Sequence, residues 1–417
     1  MSAARRFSSK TFAALSVRNF RLYFVGQLIS VSGTWMQSVA QGWLVLQLTG
    51  SSLDLGFVIA LQYVPMLLLG SYGGLIADRS EKRRILYCTQ SAAAILALVL
   101  GVMVSTHHAT LAAVMVLAAL LGVVNLFDNP ARQAFVQEMV GHELIANAVS
   151  LNSVLMNAGR LIGPGIAAGF IAVVGTADCF YANAASFAAV LVALAMMRKS
   201  EFLPMKTVER QKGQLRLGLR YVRDNPLLRN VIIAVAVVGT FAYNFTVTLP
   251  LLTRQTFHQS SAADYGLLMA AMGAGAVIGG LVVAHRSRPT PKMLALLVLG
   301  FGTFMTLVAL APSVLWAEIA LVPTGAFSIA LIATANATLQ LNSSQQMRGR
   351  VMSLYAIAFL GTTPIGAPLV GLIVSWSNPR VGIAVGSALA LATGIGLVFS
   401  HRRDERNVAE LRATQTA

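Results

Sequence analysis

Long apolar runs separated by short polar stretches cover most of the 417-residue chain. A membrane-spanning helix needs about 20 predominantly apolar residues, and each run is close to that length. In lipid such a run must be helical, because every backbone polar group has to find its partner within the segment. The pattern predicts twelve spans, at about residues 23–46, 53–77, 85–105, 110–128, 144–173, 178–197, 229–252, 262–284, 292–311, 314–336, 350–375 and 380–400.

The composition agrees with a multi-span membrane protein. Charged residues make up 11% of the chain, hydrophobic residues make up 56%, and the mean hydropathy is +0.70. Soluble domains carry about 25% charged residues, so this chain has too little polar surface to cover a soluble globule. These values exclude a cytosolic enzyme and a disordered chain. Because Cys88 and Cys179 are the only two cysteines, a disulfide scaffold is excluded as well.

Basic residues fall in alternate loops, and this alternation predicts the orientation. All but four of the 31 lysines and arginines lie in the two terminal stretches, the central segment or the even-numbered loops. By the positive-inside rule both termini are therefore expected in the cytoplasm of a cell whose inner membrane holds the protein. The net charge of +16 is accounted for by these loops, so no nucleic-acid partner is expected. The four exceptions are Arg21, Arg160, Arg254 and Arg380.

The one long polar stretch divides the spans six and six. We therefore predict an N-terminal six-helix half (1–197), a cytoplasmic linker (198–228), a C-terminal six-helix half (229–400) and a cytoplasmic tail (401–417). Weak internal matches at a nearly constant offset, such as Gly-Gly-Leu at 73 and again at 279, indicate that the halves share ancestry.

The linker contains a candidate amphipathic helix. Arg216, Arg220 and Arg223 share one helical face, and apolar residues, among them Leu219 and Val222, share another. This favours a helix lying on the inner leaflet, and the alternative is a plain tether whose charge only fixes the topology.

The loop between spans 2 and 3 carries the first recognisable motif. Gly74-Leu-Ile-Ala-Asp78-Arg79-Ser-Glu-Lys-Arg83-Arg resembles motif A of the major facilitator superfamily, with Glu81 where that pattern usually has glycine. The resemblance implies a gate latch that stabilises the outward-facing state, and the alternative is a positively charged topology loop. We place Gly74, Asp78, Arg79 and Arg83 in this gate. Asp128 and Arg132, near the inner end of span 4, are assigned to gating as well.

Span 5 carries the second motif. Gly159, Gly163 and Pro164 are similar to motif C, which the superfamily associates with exporters of the antiporter type. The two glycines also form a G-x-x-x-G pair, so generic helix packing is the alternative. Further stretches, such as Asn-Pro-Ala-Arg-Gln-Ala from residue 129, resemble the branch that contains the enterobactin exporter and macrolide efflux proteins. The resemblance covers nearly the whole chain and implies an all-α membrane protein with the major facilitator fold.

Polar side chains inside the spans are the candidates for cargo contact, because a polar group is costly in lipid and usually faces a cavity. Span 1 carries a polar stripe at helical spacing, and Arg160 lies near the middle of span 5. Arg160 either binds an anionic cargo or pairs with an acid and stiffens the bundle. For each of the others the alternative is an interhelical hydrogen bond. The candidates are Gln27, Thr34, Gln37, Gln41, Asn152, Arg160, Tyr243 and Asn244.

The energy source is less well determined by the sequence. No acid lies in the middle of span 1 or span 4, and no Walker-type segment occurs, which argues against direct use of ATP. No catalytic constellation, cofactor site or metal site is predicted. We expect a monomeric secondary transporter that exports small molecules such as drugs or siderophores by alternating access, with protons as the candidate coupling ion. The alternatives are a dedicated siderophore or metabolite exporter and, in another class, a multi-span enzyme or receptor without transport.

Overall fold

The computed structural model describes residues 12–203, 214–259, 261–285, 289–359 and 361–416. Within these ranges it describes every side chain except those of residues 71, 78, 214, 215, 284, 285 and 402–416. This part of the chain consists of helices and short connections and contains no β-strand. The chain is an all-α membrane protein, as predicted.

The first six spans are six continuous helices. A 3-10 turn, Ala13–Ser16, precedes them, and two more short 3-10 turns lie at His142–Leu144 and Lys199–Glu201. The helices are α1 (Arg18–Thr49), α2 (Ser52–Arg79), α3 (Lys82–Ser105), α4 (Leu111–Met139), α5 (Ile145–Val173) and α6 (Thr176–Met196).

The remaining spans are more interrupted. A short linker helix comes first, and two of the six following spans consist of more than one helix. The helices are α7 (Gln214–Asp224), α8 (Pro226–Val237), α9 (Phe245–Leu251), α10 (Ala262–His285), α11 (Pro291–Leu310), α12 (Val314–Leu341), α13 (Arg348–Phe359), α14 (Thr363–Trp376) and α15 (Pro379–Thr416).

Local sequence signals set several of these helix ends. Ser51 Oγ accepts a hydrogen bond from the amide of Asp54 at 3.2 Å, and Thr110 Oγ1 accepts one from the amide of Ala113 at 3.3 Å. Each bond satisfies a backbone donor that the first turn of a helix leaves free. Gly50 ends α1 in the left-handed conformation at φ 67°, which glycine adopts without steric cost.

Eleven helical segments of the described chain are long and apolar enough to cross a membrane. α1 is 32 residues long but falls outside this set, since glutamine, serine and threonine side chains lower its hydropathy. Together these twelve helical regions coincide with the twelve predicted spans. The predicted fourth span ends at residue 128, whereas α4 continues to Met139.

The chain divides into two compact units. One comprises Met1–Glu209 with Gln259–Gly273, and the other comprises Arg210–His258 with Ala274–Ala417. We call them the N-terminal unit and the C-terminal unit. In the N-terminal unit α1 packs along both α5 and α6, and α2 packs along α4. In the C-terminal unit α11 packs along both α12 and α15.

The predicted linker helix is present as α7. It packs on α13 within the C-terminal unit, where Val222 is buried and Gly218 approaches Arg350. The amide of Ser344 donates to Tyr221 Oη at 3.2 Å. The side chains of Arg216, Arg220 and Arg223 are exposed on the opposite face. Leu219 is also exposed, so only part of the predicted apolar face is buried against protein, and the placement of α7 on a leaflet stays a prediction.

Candidate functional site

A buried carboxylate lies within α4. Asp128 is 3% exposed, and its Oδ1 accepts hydrogen bonds from Thr89 Oγ1 and Gln90 Nε2, each at 2.8 Å. Both donors belong to α3. The hydropathy pattern ends the fourth span at residue 128, but α4 continues for eleven residues beyond Asp128. Asp128 and Arg132 are accommodated in the helix because polar side chains on α3 and α1 bond to them.

Arg132 connects this carboxylate to α1. Its Nη2 lies 3.3 Å from Asp128 Oδ2 and donates to Asn129 Oδ1 at 2.6 Å. Its Nη1 donates to Gln27 Oε1 at 3.4 Å. The structure therefore brings together two residues predicted to gate and one predicted to contact cargo.

Three further polar atoms surround this pair. Tyr23 Oη, Gln27 Nε2 and Gln90 Oε1 are buried and have no hydrogen-bond partner among the described residues. The sequence analysis missed Tyr23, Thr89 and Gln90. A signal was present for two of them, since Thr89 and Gln90 form an adjacent polar pair inside an otherwise apolar span. We call Tyr23, Gln27, Thr89, Gln90, Asp128, Asn129 and Arg132 the Asp128 cluster.

The motif A loop lies where α2 ends and α3 begins. Gly74 is buried, Arg79 is exposed, and the side chain of Asp78 lies outside the described part of the chain. Arg83 donates to the carbonyl of Leu194 at 2.6 Å and so satisfies a backbone acceptor at the end of α6. The predicted latch contact of Asp78 therefore stays a prediction, while Arg83 has a defined partner within the N-terminal unit.

Glu81, which replaces the usual motif glycine, makes two ion pairs. Its carboxylate lies 2.8 Å from Arg84 and 3.2 Å from Lys199 at the start of the linker. The hydrogen bond from Lys199 holds the pKa of this carboxyl below its usual 4.5, with smaller contributions from the charges of Lys199 and Arg84. Glu81 thus connects the loop between α2 and α3 to the start of the linker.

Other contacts hold the start of the linker at the same end of the N-terminal unit. Asn19 and Arg198 exchange two hydrogen bonds, at 3.0 and 3.1 Å. The ring of Phe202 packs edge-on against Phe135, with centroids 5.2 Å apart. Lys82 also pairs with Glu138 at 3.2 Å, joining α3 to α4.

The motif C glycines form the contact between α5 and α1. Gly159 lies against Val31, and Gly163 lies against the Ser32 carbonyl. A Cβ added at Gly163 would meet the Trp35 Cβ at 2.6 Å, so only glycine permits this approach. The arrangement accounts for the glycines as packing residues, and an antiporter role for them and for Pro164 stays a prediction.

Arg160 stacks on an aromatic ring of α1. Its Cζ lies 4.9 Å from the ring centroid of Trp35, within the range of a cation–π contact. Both side chains are half-buried. This partner is neither of the two that the sequence suggested, an acid or a cargo, because a span-by-span analysis does not pair residues on different helices.

The predicted polar stripe of α1 separates into buried and accessible members. Gln37 Oε1 accepts a hydrogen bond from Asn183 Nδ2 of α6 at 2.6 Å, and both side chains are buried. Gln41 is half-buried, and Thr34 is exposed. Gln27 and Gln37 thus stabilise the N-terminal unit. Asn152 on α5 is half-buried, and its Oδ1 has no partner among the described residues.

In the C-terminal unit, span 7 is broken in its middle. α8 is followed by a π-helical turn, Val238–Ala242, then by non-helical Tyr243 and Asn244, α9, and a second π-helical turn, Leu252–Thr256. Asn244 Nδ2 donates to the Thr240 carbonyl at 2.7 Å. The side chain thus takes the place of a missing backbone donor, which explains how the break is accommodated.

A second break adjoins the first. Span 11 is divided into α13 and α14, and the carbonyl of Phe359 at the end of α13 lies against Gly239. Gly366 of α14 lies in turn against Thr240. The interrupted segments of two spans therefore pack together inside one unit.

Aromatic rings collect at these breaks. The ring centroid of Tyr243 lies 5.6 Å from that of Phe245 and 5.2 Å from that of Phe359, and Tyr355 stacks on Phe359 at 6.3 Å. Tyr243 and Phe359 are half-buried. We call Tyr243, Phe245, Tyr355 and Phe359 the aromatic cluster. The sequence analysis found Tyr243 and Asn244 here and missed the rings of span 11.

Within the described ranges, no group of three or more His, Cys, Asp or Glu side chains could hold a metal ion. The arrangement therefore offers a buried ion pair with polar neighbours in one unit and an aromatic surface at two helix breaks in the other.

Comparison with known proteins gives consistent results. A family model described as transmembrane secretion effector, of the major facilitator type, matches residues 9–415. The multidrug efflux pump Tap of Mycolicibacterium fortuitum is 25% identical over 93% of this chain and 97% of its own. The enterobactin exporter EntS of Shigella flexneri is 26% identical over 91% of this chain and 89% of its own. The staphyloferrin A transporter of Staphylococcus aureus is 27% identical, covering 63% of this chain and 66% of its own.

Solved structures share the fold at lower identity. A bacterial homologue of the human lysosomal transporter Spinster, inward-facing and unoccupied, has a TM-score of 0.69 at 15% identity and covers 93% of this chain and 95% of its own. A POT family transporter in complex with 5-aminolevulinic acid has a TM-score of 0.74 at 13% identity, covering 92% and 96%. At these identities the likeness establishes the fold alone.

Proposed function

Because the chain belongs to the transmembrane secretion effector family of major facilitator transporters, we propose that it exports small molecules across the bacterial inner membrane by alternating access. The protein is a multi-pass membrane transporter and not an enzyme, since its family and its relatives are transporters. The direction, the cargo, proton coupling and the monomeric state are our proposals.

One observation supports export as the direction of transport. The near-full-length relatives Tap and EntS are named for efflux and export, and the family description refers to secretion. The G-x-x-x-G contact of Gly159 and Gly163 with α1 supports this, because the motif that they match is associated with exporters. Outward transport requires cytoplasmic loading, which agrees with the proposed cytoplasmic location of both termini and of the basic loops.

The aromatic cluster supports a cargo class. Half-buried Tyr243 and Phe359 offer ring faces, and aromatic pairs add about 0.5–1.5 kcal/mol beyond simple burial. We therefore propose planar, amphipathic cargo, a class that includes many drugs. Gln41, Thr34 and Asn152 are proposed as polar contacts in the N-terminal unit.

Transport into inverted membrane vesicles tests this proposal, because such vesicles present the cytoplasmic face to the medium. We expect vesicles that contain the chain to accumulate ethidium, a macrolide or enterobactin when energised, and we expect a protonophore to abolish the accumulation. Vesicles prepared from the same cells without the chain are the control. Equal accumulation of all three compounds with and without the chain would contradict export.

A further inference from the structure

One face of α7 is exposed in the part of the C-terminal unit that the structure describes. The opposite face packs on α13 and α8, with Gly218 and Val222 buried. Residues three or four positions apart share a helix face, and Arg216, Arg220 and Arg223 have this spacing on the exposed side. None of these three guanidinium groups forms an ion pair within the described ranges. Three positive charges therefore lie together on one surface.

Neighbouring helices add to the positive charge of this surface. Arg229 of α8 donates from Nη1 to the carbonyl of Arg223 at 3.5 Å, which places a fourth guanidinium beside α7. Arg348, the first residue of α13, is exposed as well. The one acid of α7, Asp224, offsets only part of this charge. The surface as a whole is therefore strongly basic and suited to an anionic partner.

Exposed leucines flank the arginines of α7. At 3.6 residues per turn, Leu217 and Leu219 project on either side of the arginine face, and they are 52% and 59% exposed. A helix that presents basic groups together with apolar side chains is typical of the surface of a bilayer, where the apolar groups reach the acyl chains. An acidic soluble partner would account for the arginines but not for the two leucines.

The contacts of α7 with α13 indicate its depth. A Cβ added at Gly218 would lie 3.0 Å from the Arg350 Cβ and 3.5 Å from the Leu354 Cδ1. Arg350 is the last charged residue before the apolar run of span 11, and Leu354 lies about 6 Å further along α13 at 1.5 Å per residue. The headgroup region of a leaflet is about 5–7 Å thick. α7 therefore lies where span 11 passes from polar to apolar surroundings, at the depth of the headgroups.

We propose that this face of α7 binds the headgroups of anionic phospholipids such as phosphatidylglycerol. A guanidinium donates two parallel N–H groups to phosphate oxygens, so the three arginines provide the matching donors. A zwitterionic headgroup carries an ammonium group that the arginines repel, whereas the headgroup of phosphatidylglycerol carries none. The flanking leucines reach the acyl boundary of the same leaflet. The inference depends neither on the cargo nor on the direction of transport.

Fluorescence quenching of the purified full-length protein in phosphatidylcholine nanodiscs tests this proposal. Leu219→Trp adds a ring to the face, and subtraction of the wild-type signal separates it from the four native tryptophans. Brominated phosphatidylglycerol or brominated phosphatidylcholine replaces part of the lipid as the quencher. Each basic residue near an anionic leaflet favours binding by about fivefold. We expect half-maximal quenching at a fraction of brominated phosphatidylglycerol at least about fivefold lower than that of brominated phosphatidylcholine.

Two sets of variants show whether the arginines cause this preference. Changing Arg216, Arg220 and Arg223 together to glutamine, in the Leu219→Trp background, should make the two half-maximal fractions equal. The matched control changes the same three residues to lysine, which keeps the charges and should keep most of the preference. Leu98→Trp is the control for position, since Leu98 is an exposed leucine of α3 in the other unit, and both lipids should act equally on its ring.

Two outcomes would overturn the proposal. Equal half-maximal fractions for the two lipids with the native arginines present would show that the face does not select anionic headgroups. No quenching by either lipid, in Leu219→Trp and in Leu217→Trp on the other flank, would show that the face contacts water and not the membrane. The exposed positions of both leucines make misfolding an unsuitable explanation, and a melting temperature equal to that of the wild type confirms the fold of each variant.

Discussion

The first and the seventh span both contain polar residues, but they differ in the continuity of their helices. α1 is one unbroken helix of 32 residues, although it contains buried amides such as Gln27 and Gln37. The seventh span is divided into two helices and two π-helical turns around Tyr243 and Asn244. Both segments contain polar residues, so their number does not explain the difference.

The two segments also differ in where each amide finds its partner. Gln37 bonds to Asn183 on another helix, which leaves the backbone of α1 intact. Asn244 instead bonds to the Thr240 carbonyl within its own span, at the break itself. We infer that the N-terminal unit uses its polar residues for a rigid, charged cluster, whereas the C-terminal unit uses them to open helices beside an aromatic surface. Broken helices of this kind form binding sites in many transporters.

The largest effect is expected from Arg132→Ala. This change leaves Asp128 buried without its counter-charge, and breaking such a pair costs about 3–5 kcal/mol. We expect a marked loss of thermal stability in detergent and reduced abundance in the membrane, with Arg132→Lys retaining much more of both. A melting temperature of Arg132→Ala equal to that of the wild type would mean that Asp128 is not charged in the folded protein.

Gly163→Leu should give the next largest effect. The new side chain would meet the Ser32 carbonyl and Trp35, and overpacking of this kind costs about 1–3 kcal/mol. Gly169→Leu on the same helix is the matched control, because nothing lies within 4 Å of the position that a Cβ would take there. We expect only the first variant to melt earlier. Equal melting temperatures of the two variants would show that α1 and α5 are not tightly packed at Gly163.

Substitutions in the aromatic cluster should change transport and leave thermal stability largely unchanged. Tyr243→Ala removes one of two half-buried rings, and the loss of about 1 kcal/mol of ring contact corresponds to roughly a fivefold decrease in affinity for aromatic cargo. The control is Phe304→Ala, which removes a half-buried ring from the Phe304–Phe327 pair, outside the cluster. The apparent KM for ethidium measures the effect, and equal KM values in both variants would remove the cluster from the cargo path.

The smallest effect is expected from Glu81→Gln. The pKa of Glu81 lies below 4.5 in the folded protein, so its ion pairs stabilise the fold above the pKa of the unfolded chain, and this contribution disappears as the pH falls through the folded pKa. The wild type should therefore melt slightly later than the variant at neutral pH and at the same temperature in acid. A difference that grows on acidification would contradict this linkage.

The sequence predicted the twelve helical regions well because hydropathy depends on each segment alone. It does not reveal contacts that depend on a partner from another segment. The bonds of Asp128 to Thr89 and Gln90, for example, are not visible in the pattern. In the same way, the sequence does not indicate that Arg160 stacks on the ring of Trp35.

The break at Asn244 shows a second limit of prediction from the sequence. The residues from 229 to 252 are as apolar as those of an intact span, and the same amide could have bonded to a neighbouring helix, as Gln37 does. The choice depends on which acceptor the folded unit places within reach. Motif A and motif C were found because their residues are contiguous, whereas the rings of the aromatic cluster come from two distant stretches of the chain.

Proton-driven export is the central claim, and simultaneous recording of the two fluxes tests it most directly. Purified protein would be reconstituted in liposomes that contain the pH-sensitive dye pyranine, and ethidium movement would be followed in the same sample. The account predicts that ethidium and protons cross in opposite directions. Ethidium movement in the wild type with no opposing proton movement would contradict it.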